Sequence, residues 1–146
     1  MWLGHVYYAI GLLVFLSTIL VLSKLKSYLV TSEWFSRFEK VTGRKPSKKD
    51  FRSDDESNLL STVAALSVFE FVWVLMGLLT SSWYIYLSLL IYSMIIGVIS
   101  KLVDISFIRK ILTGHFLIVK ILVYLYLVVN HFHLHQDTLQ IIKNLF

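Results

Sequence analysis

The stretch LLSTVAALSVFEFVWVLMGLL, residues 59–79, decides the fold of this chain. It contains one charged residue, Glu70, and its apolar residues run on without the alternation that a half-buried strand shows. A helix of this length rises about 30 Å at 1.5 Å per residue, which matches the thickness of a bilayer's hydrocarbon core. The stretch therefore predicts a transmembrane helix.

Three further stretches have the same length and character, at residues 2–22, 83–100 and 111–129. Hydrophobic residues make up 57% of the 146 residues and the mean hydropathy is +0.73, which is too apolar for a soluble domain. In lipid each span must satisfy its own backbone hydrogen bonds, as a helix does. The sequence predicts an all-α integral membrane protein with four transmembrane helices, forming a single membrane domain over residues 1–146.

The connections between the spans predict their arrangement. The link at residues 80–82 is so short that the second and third spans must form an antiparallel hairpin. The first connection, residues 23–58, is strongly basic, the second is uncharged, and the third is basic again. Because basic loops stay on the inner side, both termini are predicted to lie outside, in a plasma or inner membrane.

Aromatic residues support this orientation, because amphipathic rings favour the interface with the headgroups. Those expected toward the outer interface are Trp2, Tyr7, Tyr8, Trp83, Tyr84, Tyr86, Tyr124 and Tyr126.

The first connection contains apolar residues at helical spacing, including Trp34 and Phe38, and Gly43 is a helix stop signal. Two interpretations stay open: a short interfacial helix, or a straight continuation of the first span. The basic residues that follow are expected to contact anionic lipid headgroups rather than nucleic acid, because few aromatic rings accompany them. They are Arg44, Lys45, Lys48 and Lys49.

Glu70 lies near the middle of the second span, where an unpaired carboxylate is costly. Lys120, in the fourth span, is the cation that can reach it, and Tyr124 follows one helical turn later. Three interpretations stay open: Lys120 extends to the inner headgroups, the two residues form a structural pair, or Glu70 belongs to an ion or proton pathway.

Small residues allow helix backbones to approach closely in lipid, and they predict packing seams. Gly4 and Gly11 lie seven positions apart on the first span, and Ser93 and Gly97 lie four apart on the third. We interpret both pairs as architecture rather than as sites.

His131, His133 and His135 alternate just after the fourth span. Alternating imidazoles face one way on a strand and could bind zinc or copper, whereas on a helix only the first and third share a face. We expect a polar boundary segment without metal, opening an amphipathic outer tail over residues 131–146. The chain has no cysteine, which excludes disulfides and thiolate ligands, and no cofactor is expected.

No nucleophile, paired carboxylates or other catalytic constellation stands out, so an enzyme is the least supported class. The prediction is a non-enzymatic structural, anchoring or accessory subunit of a larger membrane assembly, whose partners are lipid and other membrane proteins or copies of itself. The alternative is a homo-oligomeric ion channel or pore with Glu70 in the conduction path.

Overall fold

The computed structural model describes residues 2–103 and 106–134, and this part of the chain is helical without any strand. A short 3-10 turn precedes the third α-helix and a π-helical segment, Asn130–Leu134, follows the fifth. The five α-helices are α1 (Trp2–Ser23), α2 (Leu25–Thr42), α3 (Asp54–Gly77), α4 (Trp83–Leu102) and α5 (Ser106–Val129).

The all-helical class is confirmed, and α1, α3, α4 and α5 are long and apolar enough to cross a membrane. The helices extend beyond the predicted spans: α3 begins at Asp54 rather than at residue 59. Ser53 caps it by accepting a hydrogen bond from the Glu56 N–H at 3.3 Å. The acidic first turn also suits the positive end of the helix dipole, so this helix starts in polar sequence before its apolar part begins.

The first connection is largely helical rather than an extended loop. Lys24, with φ −102° and ψ 13°, separates α1 from α2, which is 18 residues long. It packs against α3, with Leu29 and Thr31 buried, and ends at Gly43 as predicted. Gly43 has φ +68°, a left-handed conformation that glycine adopts without steric cost. The segment is therefore a distinct helix rather than an unbroken continuation of α1.

The predicted hairpin between α3 and α4 is present. Its turn is closed by the Thr80 N–H, which donates to the Gly77 carbonyl at 3.0 Å, and by the Thr80 hydroxyl, which donates to the same oxygen at 2.7 Å. A glycine is needed at Gly77 because the Tyr86 ring of α4 lies directly against it. These contacts hold α3 and α4 as antiparallel neighbours.

The core lies between α1, α3, α4 and α5, and α1 and α5 share the most extensive contact. It is unusually aromatic: Tyr86 and Tyr124 are among the largest fully buried side chains. Of the rings expected toward the outer interface, Tyr8, Tyr86 and Tyr124 point into the bundle while Trp83 is half exposed. The core cluster comprises Tyr8, Val14, Trp73, Val74, Tyr86, Leu89, Tyr124 and Leu127.

The outer faces of the bundle are apolar. Large hydrophobic side chains are exposed on every one of the four long helices, for example Leu13 on α1, Val68 on α3, Met94 on α4 and Leu122 on α5. A surface of this kind is stable in contact with lipid or with other apolar helices rather than with water.

Candidate functional site: an ion pair inside the helix bundle

The structure brings together the three polar residues that the sequence singled out within its spans. Glu70 extends from the middle of α3, and Lys120 and Tyr124 extend from α5 one helical turn apart. The Lys120 ammonium donates to both Glu70 carboxylate oxygens, at 2.7 and 2.9 Å. The Tyr124 hydroxyl donates to Glu70 Oε1 at 2.5 Å.

This arrangement neutralises both charges within a single chain. The Glu70 and Lys120 side chains are only 16% and 12% exposed, so each would be costly without the other. The Lys120 ammonium also lies 4.7 Å from the centre of the Phe116 ring, a cation–π contact on the same helix. Lys120 therefore points to Glu70 in this structure and does not extend toward a helix end.

An aromatic layer lies next to the ion pair, between Glu70 and the end of the bundle that carries the α3–α4 turn. Tyr7 and Trp73 exchange two hydrogen bonds, from the tyrosine hydroxyl to the Trp73 carbonyl at 2.9 Å and from the indole N–H to the Tyr7 carbonyl at 3.1 Å. The Trp73 ring meets Tyr86 and Tyr124 edge to face, with centroids 5.4 and 5.3 Å away. Sequence reasoning missed this layer because it placed tyrosines of this depth at the membrane interface.

Two cavities flank the ion pair, and Ser67, Glu70, Phe116 and Lys120 line both. One, of about 210 Å³, lies between α3, α4 and α5 and also reaches Ser93. The other, of about 150 Å³, is surrounded by α1, α2, α3 and α5, and we call it the inner cavity.

The predicted packing residues have different surroundings. A Cβ atom on Gly11 would lie 2.6 Å from Trp73 Cζ2, so the absence of a side chain there allows α1 and α3 to approach. A Cβ atom on Gly4 would lie 3.6 Å from Cε1 of the His131 ring. A Cβ atom on Gly97, by contrast, would meet no described atom of another element within 4 Å, and Ser93 is exposed at the edge of the larger cavity.

His131 pairs with His5 of α1 rather than with the histidines that follow it in the sequence. His131 Nε2 lies 3.1 Å from His5 Nδ1, and the His131 ring stacks on Tyr8 with centroids 4.0 Å apart. His133 is exposed, and His135 lies outside the described residues. Among the described residues no group of three or more His, Cys, Asp or Glu side chains is placed to hold a metal ion.

The basic stretch after Gly43 is partly engaged within its own turn. Arg44 binds Asp50 through two hydrogen bonds, at 2.8 and 3.0 Å, and its guanidinium lies 5.0 Å from the centre of the Phe38 ring. The Asp50 carboxylate also accepts from the Ser47 hydroxyl and backbone N–H. The Arg44 hydrogen bonds, followed by those from Ser47, hold the pKa of Asp50 below its ordinary value.

The other basic residues of this stretch remain on the surface. Lys48 lies 3.8 Å from Asp54 and is mostly exposed, and Lys45 and Lys49 are exposed as well. The sequence alone had treated all four basic residues alike, but Arg44 has a structural role within the turn.

Comparison of the whole chain with protein-family models, with curated proteins and with solved structures finds no match in any of the three.

Proposed function

We propose that the chain is an integral membrane protein in which α1, α3, α4 and α5 cross the bilayer. The apolar surface on all four helices supports this placement. The basic first connection, with α2, then lies on the inner side of a plasma or inner membrane, and both termini lie outside. The exposed Lys45 and Lys49 are positioned to contact anionic headgroups.

Within this frame, we propose a non-enzymatic role as a structural or anchoring subunit of a larger membrane assembly. The observation that carries the proposal is the closed Glu70–Lys120 pair. These two residues are the charged side chains of the spans that lie away from helix ends, and they bind each other. The pair therefore presents no uncompensated charge to a substrate, and its chemistry serves to join α3 to α5.

The outside of the bundle supports the same role. Ser93 and Gly97 form an exposed small-residue surface on α4, flanked by Met94 and Val98. Because small residues permit close contact between helices in lipid, this surface fits an apolar helix of another membrane protein.

The test is the composition of the native particle. The tagged protein is extracted directly into lipid nanodiscs from the cells that express it, and native mass spectrometry identifies every chain in the particle. Stoichiometric co-purification of different membrane proteins is expected, and replacing Gly97 by Leu should reduce it while Leu122→Ala, an exposed change on α5, should not. A particle that contains only this chain would contradict the subunit proposal.

A second candidate, an ion pathway through Glu70, is favoured by the two cavities beside that residue. Because Glu70 faces the interior of its own bundle, such a path runs within each chain rather than along the axis of a ring of copies. Proteoliposomes carrying the wild-type protein would then conduct ions, and Glu70→Gln would abolish the flux. Glu39→Gln, an exposed change on α2, is the matched control. Absence of flux from the wild-type protein would exclude this candidate.

A further inference from the structure

The inner cavity has an unusual polar lining for the middle of an apolar bundle. Four serine and threonine side chains line it, and each donates its hydroxyl proton to a carbonyl of its own helix three or four residues earlier. Because their protons are engaged, the hydroxyl oxygens remain available to the cavity as acceptors. The four bonds are Ser17 to Val14 at 2.8 Å, Thr18 to Val14 at 2.9 Å, Ser67 to Val63 at 2.8 Å, and Thr113 to Arg109 at 2.9 Å.

The size and chemistry of the inner cavity fit water. Its volume is about 150 Å³, and a water molecule occupies roughly 30 Å³ in the liquid and needs two to four polar partners. The hydroxyl acceptors and the Glu70–Lys120 pair supply such partners on several sides. A cavity with this lining offers water the partners it needs, whereas cavities that stay dry are apolar.

The inner cavity adjoins the surface at the end of the bundle that carries the first connection. It shares Val21 and Val63 with a groove of about 860 Å³ between α1, α2 and α3. Lys24, Asp55 and Glu56 line that groove. Charged side chains hold water, so the groove is a hydrated surface next to the inner cavity.

The aromatic layer lies on the opposite side of the ion pair, toward the turn between α3 and α4. Trp73, Tyr86 and Tyr124 are 3%, 0% and 1% exposed, and their rings contact one another in series. These rings are therefore out of contact with solvent.

We propose that the groove and the inner cavity form a water-filled vestibule that ends at Glu70 and Lys120 and opens at the connection end of the bundle. The proposal rests on the membrane placement proposed above. Water, and with it protons, reaches the ion pair from the inner side, and the aromatic layer separates the pair from the outer side. The proposed vestibule is compatible with both candidate functions, a subunit of a larger assembly and an ion pathway.

The chain contains no cysteine, so single cysteines can report water access position by position. A thiol reacts as the thiolate, which forms in water and not in lipid. Thr18→Cys and Thr113→Cys introduce thiols into the inner cavity. Thr18 is only 3% exposed, so a thiol at this position reacts only if the inner cavity itself holds water. Leu16→Cys is the matched control. Leu16 lies about 3 Å from Thr18 along the axis of α1, and its side chain is 51% exposed on the surface of the bundle. Leu127→Cys tests the far side of the aromatic layer.

The reagent is the silver ion, a thiol-reactive cation similar in size to water, added outside proteoliposomes in chloride-free buffer. External trypsin then cleaves the basic connection only in molecules whose connection end faces outward. Mass spectrometry counts the unreacted thiols in cleaved and intact chains separately, so the two ends of the bundle are assayed in one sample.

In cleaved chains, the cysteines at positions 18 and 113 should react about tenfold faster or more than those at positions 16 and 127. In intact chains all four should react slowly. Reaction at positions 18 and 113 as slow as at position 16, or equally fast from both ends, would overturn the vestibule while leaving the membrane placement intact. Rapid reaction at position 16 would instead overturn the membrane placement, and the vestibule with it.

Discussion

At the residue scale, the protein depends on one carboxylate and its two partners. Glu70 accepts three hydrogen bonds from α5, two from Lys120 and one from Tyr124. Neither charge is tolerable alone in an apolar bundle, because loss of one partner leaves the other buried and unpaired. The pair therefore selects one rotation of α3 against α5.

We predict that Glu70→Gln and Lys120→Gln will each lower the free energy of unfolding in bicelles by about 3 kcal/mol. The double variant should recover a substantial part of this loss, since it removes both charges together. Reversible unfolding measured for all four members of the cycle gives the coupling between the two residues.

Controls for this cycle are available on α2, where Lys26→Gln and Glu39→Gln change exposed charges. These changes should alter stability by less than about 0.5 kcal/mol. If the effects of Glu70→Gln and Lys120→Gln are simply additive in the double variant, the two residues do not act as a pair.

At the element scale, glycines determine how closely the helices approach. Gly11 of α1 is covered by the Trp73 ring of α3, and Trp73 is itself held by two hydrogen bonds with Tyr7. The ring is 3% exposed and packs against the rings of Tyr7, Tyr86 and Tyr124. Gly97 of α4 belongs to a similar sequence pattern, but a Cβ atom there would meet no atom of another element within 4 Å in the described part of the chain.

Gly11→Ala is therefore predicted to destabilise the bundle by about 1–3 kcal/mol, because the added methyl group overlaps the indole. Gly97→Ala should be neutral or slightly stabilising in the isolated chain, since alanine has the higher helix propensity. Thermal unfolding of the two variants in the same detergent compares them directly. Equal effects of the two substitutions would show that Trp73 does not restrict position 11.

At the scale of the whole molecule, the order and direction of the helices place the first connection and the α3–α4 turn at opposite ends of the bundle. The first connection, with α2, lies at one end, and the turn between α3 and α4 lies at the other. The ion pair lies between them, with hydroxyl groups on the connection side and the aromatic layer on the turn side.

This arrangement predicts that cysteines at Ser36 and Ser81, both exposed, will be labelled from opposite sides of a membrane. A charged, impermeant maleimide added to intact cells should label Ser81→Cys and leave Ser36→Cys unlabelled until the membrane is opened. The reason is that basic connections stay inside. Labelling of both positions in intact cells would contradict the four-span topology.

Much of the site could be anticipated because its residue types are unusual in their context. A glutamate and a lysine within apolar spans each demand compensation, and helical rise placed them at depths that one side chain can bridge. The Arg44–Asp50 pair, the Tyr7–Trp73 exchange and the His5–His131 contact were not anticipated. Their residues are unremarkable in sequence, and the last two contacts join positions 66 and 126 residues apart.

By itself the sequence determined the helical class, the four apolar helices, the tight hairpin and the end of α2 at Gly43, because apolar length, loop length and backbone preference are local properties. Only the tertiary structure decided which faces meet. Apolar residues occupy every side of α1 and α3, so no amphipathic stripe marks the core, and helix rotation depends on contacts between distant residues. The tyrosines pack inward for the same reason: their depth is readable from the sequence, but their direction is set by the neighbouring helices.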